Sequence, residues 1–129
     1  MKSSDEQIAK IADYLRTPEL QSLSIIRNDT FEISFLAGGE YNLNYRLTSI
    51  NRDIDLVFRI NIGTQINRND QILYEYQTLQ LLENSGVTPY PYWVDDSRRF
   101  FDQGVLIMQY LAGEALDYSR DLFSAAQVL

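Results

Sequence analysis

The chain has 129 residues, 45% of them hydrophobic and 12% aromatic, and carries a formal net charge of −7. That is enough for one compact domain with a single core, the composition argues against disorder, and the acidic balance disfavours nucleic acid and anionic membrane surfaces as partners. There is no Cys and no His, which excludes disulfides, thiol catalysis, Cys zinc sites and Ser-His-Asp chemistry.

No apolar run approaches the roughly 18 residues of a membrane-spanning helix. The amino terminus, MKSSDEQIAK, lacks the apolar core of a signal peptide, so a cytoplasmic location is expected. From Ser4 to Arg16, Ile8, Ile11, Ala12 and Leu15 recur at helical spacing and predict an amphipathic helix packed on a sheet. Ser4 and Gln7 fit a capping box, and Pro18 marks the stop. From Thr30 the period becomes two. Phe31, Ile33 and Phe35 share one face of a first strand, which Ala37-Gly38-Gly39-Glu40 breaks. In a second strand Tyr41, Leu43, Tyr45 and Leu47 alternate with Asn42, Asn44, Arg46 and Thr48. The turn Asn51-Arg52-Asp53 leads to a third strand, Asp55 to Ile62, with Leu56, Phe58, Ile60 and Ile62 on one face and Arg59 on the non-core face. Short turns between these strands predict an antiparallel meander.

After a polar stretch, Gly63 to Arg68, Asn69 can cap a helix that runs to Ser85 and stops at Gly86. Its apolar stripe is Ile72, Tyr76, Leu79 and Leu82, and Glu75 falls within that stripe. Tyr92-Trp93-Val94 and Gly104 to Tyr110 read as fourth and fifth strands, and Ser119 to Leu129 as the start of a further helix. The expected fold is α+β: a five-stranded antiparallel sheet with one long packed helix and an N-terminal helical extension.

Three features can carry chemistry. Gly38-Gly39 lets backbone turn through positive φ and approach a ligand, although Glu40 beside it would repel phosphate. A carboxylate on a core face is costly unless paired, so Glu75 and Arg59 explain each other; a bidentate bond between them is expected. Leu106 to Gly113 is an apolar strand that runs into an extended linker, whose backbone groups suit a flat heterocycle.

In this order, with FLAGGEYNLNYRL, LVFRIN, QILYEYQTLQLLENSGVTPYPYWVD and GVLIMQYLAGEAL, the chain resembles the nucleotide-binding N-lobe of the aminoglycoside phosphotransferase and choline kinase superfamily. The resemblance runs from about Ile25 to the carboxyl end. It implies a protein-kinase-like fold in which a glycine loop covers nucleotide phosphates and a strand-three cation is held by a helix Glu. By that resemblance Gly38, Gly39 and Asn42 lie over the phosphates of ATP. Arg59 takes the place of the usual Lys, and Glu75 holds it. Met108 backs the adenine pocket, with the Gln109 C=O and Leu111 N–H at the adenine edge. Residues 1–23 would be an extension, 24–113 the lobe, and 114–129 a linker into a second lobe, all counted as one domain.

The family's catalytic loop, with its His-x-Asp start and later Asn, and its second metal-binding Asp would fall beyond residue 129. The chain alone is therefore expected not to transfer phosphoryl groups, and no catalytic or metal-binding residue is assigned to it. Mg and a small-molecule hydroxyl acceptor would belong to a complete enzyme. A lone lobe would leave apolar surface for a homodimer or a separate C-terminal lobe. A third possibility is an α+β protein that holds an apolar ligand on a Tyr-rich sheet face, for which Arg59 and Glu75 need not be coupled.

Overall fold

The computed structural model describes residues 4–39, 41–62, 71–83 and 88–111. In chain order the elements are α1 (Ser4–Leu15), α2 (Pro18–Gln21), β1 (Phe31–Gly38), β2 (Asn42–Ser49), β3 (Asp55–Asn61), α3 (Gln71–Leu81), β4 (Pro91–Asp95) and β5 (Val105–Gln109). The fold is α+β, and its five strands form one sheet in the order β1-β2-β3-β5-β4, with every neighbouring pair antiparallel. The Glu40 position, the Gly63 to Arg68 stretch, the Asn69 cap, the Gly86 stop and the helix expected from Ser119 lie outside the described residues, as does the Ser4 side chain of the expected capping box.

Period-two alternation divides the central strand between two cores. Leu56, Phe58 and Ile60 join Tyr45, Leu47, Val105 and Ile107 in a cluster covered by Ile11, Tyr14 and Leu15 of α1 and Leu20 of α2. Val57 lies on the opposite face and packs with Leu106, Met108 and the α3 residues Ile72 and Leu79. The sheet is therefore sandwiched between helices. Arg59 does not face a non-core side, as alternation alone suggests; its face is a second core, built by α3.

Pro18 does more than end α1, because it opens the one-turn helix α2 at a position where its missing N–H costs nothing. Pro91 opens β4, an edge strand, where a missing N–H is likewise tolerated. The β2–β3 turn at Asn51 to Asp53 forms as expected: the Ser49 hydroxyl accepts the N–H groups of Asn51 (3.2 Å) and Arg52 (2.9 Å). A register shift between Phe35 and Ala37 marks a bulge in β1, and Phe35 is left 49% exposed rather than held in the core.

Gly104, just before β5, lies directly against α3. A Cβ there would collide with the Ile72 side chain, so only glycine allows the helix to seat at this distance.

Candidate functional site

Arg59 sits in the middle of β3, opposite Asn44 on one side and Leu106 on the other. Its side chain is 2% exposed and that of Glu75 is 0% exposed. Arg59 Nη1 donates to Glu75 Oε2 at 2.9 Å, and Nε donates to Asn44 Oδ1 at 2.8 Å. Sequence reasoning pairs the two charges correctly, but the bond is not bidentate. Asn44 takes one edge of the guanidinium, and Glu75 Oε1 is buried without a hydrogen-bond partner among the described residues. A guanidinium and a carboxylate this far from water are each strongly unfavourable alone, which makes the pair a mutual requirement.

The polar track continues toward the glycine turn. Asn61 Nδ2 donates to Asn42 Oδ1 and to the Tyr41 carbonyl, each at 3.2 Å. Asn42 is thus the buried first residue of β2, tied to β3, and not a loop residue. Asn44 and Asn61 are the site residues that sequence reasoning passes over. The available signal was their parity: both alternate onto the face that carries Arg59, and polar side chains there need partners once α3 covers it.

Gly38 and Gly39 stand at the β1–β2 turn, where Gly39 N–H donates to the Asn42 carbonyl at 3.0 Å. Neither has a positive φ, so the turn does not need glycine for its backbone conformation. A Cβ on Gly38 would come within 3.1 Å of Leu43 Cδ2 and Phe35 Cζ, whereas one on Gly39 would meet none of the described residues within 4 Å. Among the described residues, Gly39 borders open space.

Met108 is buried on the Arg59 face, opposite Val57. Gln109 ends β5; its N–H donates to the Tyr90 carbonyl at 2.8 Å and its Oε1 accepts the Tyr90 N–H at 3.2 Å. Tyr110 and Leu111 follow, half-buried against the α3-side core. Tyr110 lies beneath the Arg46 guanidinium, which also bonds Asp55 at 3.0 Å. That hydrogen bond holds the Asp55 carboxyl below the usual carboxylate range, burial opposes it, and Thr48 adds to it.

A separate cluster joins α1 to β4. Tyr14 donates to Asp95 Oδ2 at 2.6 Å and accepts the Trp93 indole N–H at 2.9 Å. Burial, reinforced by Asp95, pushes the Tyr14 phenol well above its ordinary value, so it is a fixed donor here. It borders a cavity of about 240 Å³ with Thr17, Glu19 and Phe100. A smaller one of about 80 Å³ lies beside Leu15 and Ile33. Neither is lined by Arg59, Glu75, Gly39 or Met108. Among the described residues no three Asp or Glu side chains gather as a metal site, and no helix is long and apolar enough to cross a membrane.

The molecule so defined is an α+β domain whose sheet buries a hydrophobic core on one face and an ion pair within a second core on the other. No family model, curated protein or solved structure matches the chain.

Proposed function

We propose that this domain is the nucleotide-binding lobe of a small-molecule kinase resembling the aminoglycoside phosphotransferases, and that it binds ATP through the Arg59 face of the sheet. The observation that supports this reading is the buried Arg59–Glu75 bond, from the central strand to the next helix. Kinases hold their phosphate-contacting cation with a helix glutamate in this manner. The glycine turn joins the two strands on one side of that cation, and β5 leads away on the other.

The residues present fit such a ligand. Gly39 leaves open space at the turn among the described residues, Arg59 brings a positive charge held by Glu75, and Val57 and Met108 lie on the same face, buried against Ile72 and Leu79. Bound ATP would supply the transferable γ-phosphate. The chain's own contribution is to bind the nucleotide and orient its phosphates. The acceptor is a small-molecule hydroxyl compound, and its recognition and the Mg ligands are assigned to a C-terminal lobe.

Titration of the 129-residue chain with Mg-ATP, followed by amide NMR, tests this. Weak binding, with Kd of order 1 mM, is expected, with shifts at Gly39, Arg59 and Met108. Absence of any response at several millimolar nucleotide would sink independent ATP binding.

A second reading, a non-catalytic homodimerising or partner-binding module, is favoured by Leu81 and Tyr90, which are 76% and 46% exposed. Light scattering at tens of micromolar decides it: a monodisperse monomer counts against a homodimer.

A further inference from the structure

β5 ends at Gln109, and among the described residues only one backbone bond carries its register on to Tyr110, which falls opposite Asp55; side chains must do the rest of holding this segment. Four groups converge there. Thr48 Oγ1 donates to Asp55 Oδ1 at 2.8 Å, and Arg46 Nε donates to the same oxygen at 3.0 Å. The Arg46 guanidinium carbon stands 4.4 Å from the centre of the Tyr110 ring. The Tyr110 N–H donates to the Asp55 carbonyl at 3.1 Å.

Each contact alone is modest, since Arg46 and Asp55 are about a third exposed, at 37% and 31%. Their arrangement is more informative. Asp55 and Thr48 face each other across β2 and β3, and Arg46 faces Val57, so strand register holds all three side chains on the Arg59 face. A guanidinium can hydrogen-bond in its plane and stack through its face at once, which an ammonium cannot. Arg46 is thereby fixed by Asp55 and covers Tyr110 with the same group.

We infer that Arg46 is a positioning residue: with Asp55 and Tyr110 it latches the segment after β5 onto the sheet, and so sets where Gln109 and Leu111 present their backbone to a nucleobase. The second half of this inference rests on the nucleotide reading above; the latch itself does not. The latch acts on the base end of the ligand and leaves the phosphate end, at Arg59 and Gly39, alone.

The test has two arms on the whole chain. In the first, amide exchange is compared between wild type and Arg46→Met, which keeps the aliphatic stem and removes the guanidinium. Exchange of the Tyr110 amide should rise about tenfold, the scale of one lost cation–π contact, while Ile107 within β5 is unchanged. An unchanged Tyr110 overturns the latch. If Arg46→Met does not fold, Tyr110→Leu replaces it and is read at the amide of residue 110 by the same criterion.

In the second arm, ATP and inorganic tripolyphosphate are titrated separately. Arg46→Met should weaken ATP by about tenfold and leave tripolyphosphate unaffected. Equal losses for both, or no loss for ATP, overturn the positioning role. If wild type binds neither ligand, the nucleotide reading falls and takes that role with it, while the exchange arm still decides the latch.

Discussion

On the α1 side of the sheet, Leu56, Phe58 and Ile60 join a cluster of apolar and aromatic residues: Tyr14 crosses Phe58 edge-on at 5.9 Å, and Phe101 lies 5.6 Å from the same ring. On the α3 side, the alternate residues of the same strand are Val57, Arg59 and Asn61, and the core there encloses an ion pair and a chain of asparagines. One strand thus solves two burial problems. The first face is filled by shape and apolar area, with the Tyr14 hydroxyl bonded to Asp95 and Trp93 at its edge. The second holds charges that do not improve packing, since a buried pair is often no better than well-packed hydrophobes of the same volume. On the proposed reading, this polar track is the part of the core that serves the ligand.

The largest test of this contrast is Phe58→Ala. Phe58 is fully buried, and the substitution should cost about 4 kcal/mol in urea unfolding. Because its face holds no proposed ligand contact, the milder Phe58→Leu should leave phosphate affinity unchanged. A loss of tripolyphosphate binding in folded Phe58→Leu would mean that the two faces are not functionally distinct.

Arg59→Ala comes next. It strands Glu75 in a site with 0% exposure and should cost about 3 kcal/mol. The double replacement Arg59→Met with Glu75→Leu should recover most of that stability, because both charges leave together. It should not recover phosphate binding. Recovery of both would reduce the pair to a packing element, and strict additivity of the two single changes would deny the coupling altogether.

Gly104→Ala should cost about 2 kcal/mol by forcing Ile72, and α3 with it, away from the sheet. The Arg59–Glu75 bond spans that same gap. The variant should therefore also raise amide exchange at Glu75, while core amides on the α1 side, such as that of Tyr14, stay protected. Uniform loosening of both faces would contradict the separation.

How these features stood in the sequence differs by physical cause. The Arg59–Glu75 pair was legible because a carboxylate inside an apolar stripe poses a problem that only a nearby cation solves. The first three strands were legible from period two, the last two as short apolar runs, and α1 from its period of 3.6. Asn44 and Asn61 were seen as the outward half of an alternation, since nothing local in β2 and β3 says that a later helix will cover them. The short helix α2 was hidden because Pro18 reads equally as the stop of α1. The seat at Gly104 depends on contacts distant in sequence, and so does the Arg46–Asp55–Tyr110 arrangement, whose members come from β2, β3 and the segment after β5.

A smaller effect separates the charged rim from the buried pair. Asp55 has its carboxyl pKa lowered in the folded chain, mainly by the hydrogen bond from Arg46. A depressed folded pKa contributes stability that is complete above the unfolded value, about 3.9, and is lost as pH falls through the folded value. Asp55→Asn should therefore be less stable than wild type at pH 7, and the gap should close as urea midpoints are measured below about pH 4. A gap that stays constant with pH would show that the Asp55 charge is not what holds Arg46.

Gly39→Ala should have the smallest effect on stability. Its backbone needs no positive φ, and a Cβ meets no described residue within 4 Å, so the unfolding free energy should change by less than about 0.5 kcal/mol. The same methyl group projects into open space at the turn where phosphates are proposed to lie, and should weaken tripolyphosphate binding there. Gly38→Ala is the matched control: its Cβ presses on Leu43 and Phe35, so its cost should show in stability. If Gly39→Ala left both stability and tripolyphosphate affinity intact, the glycine turn would be only a turn, and the polar face would have to bind its ligand farther along β3, nearer Arg59. Loss of affinity without loss of stability would place the phosphate end at the turn.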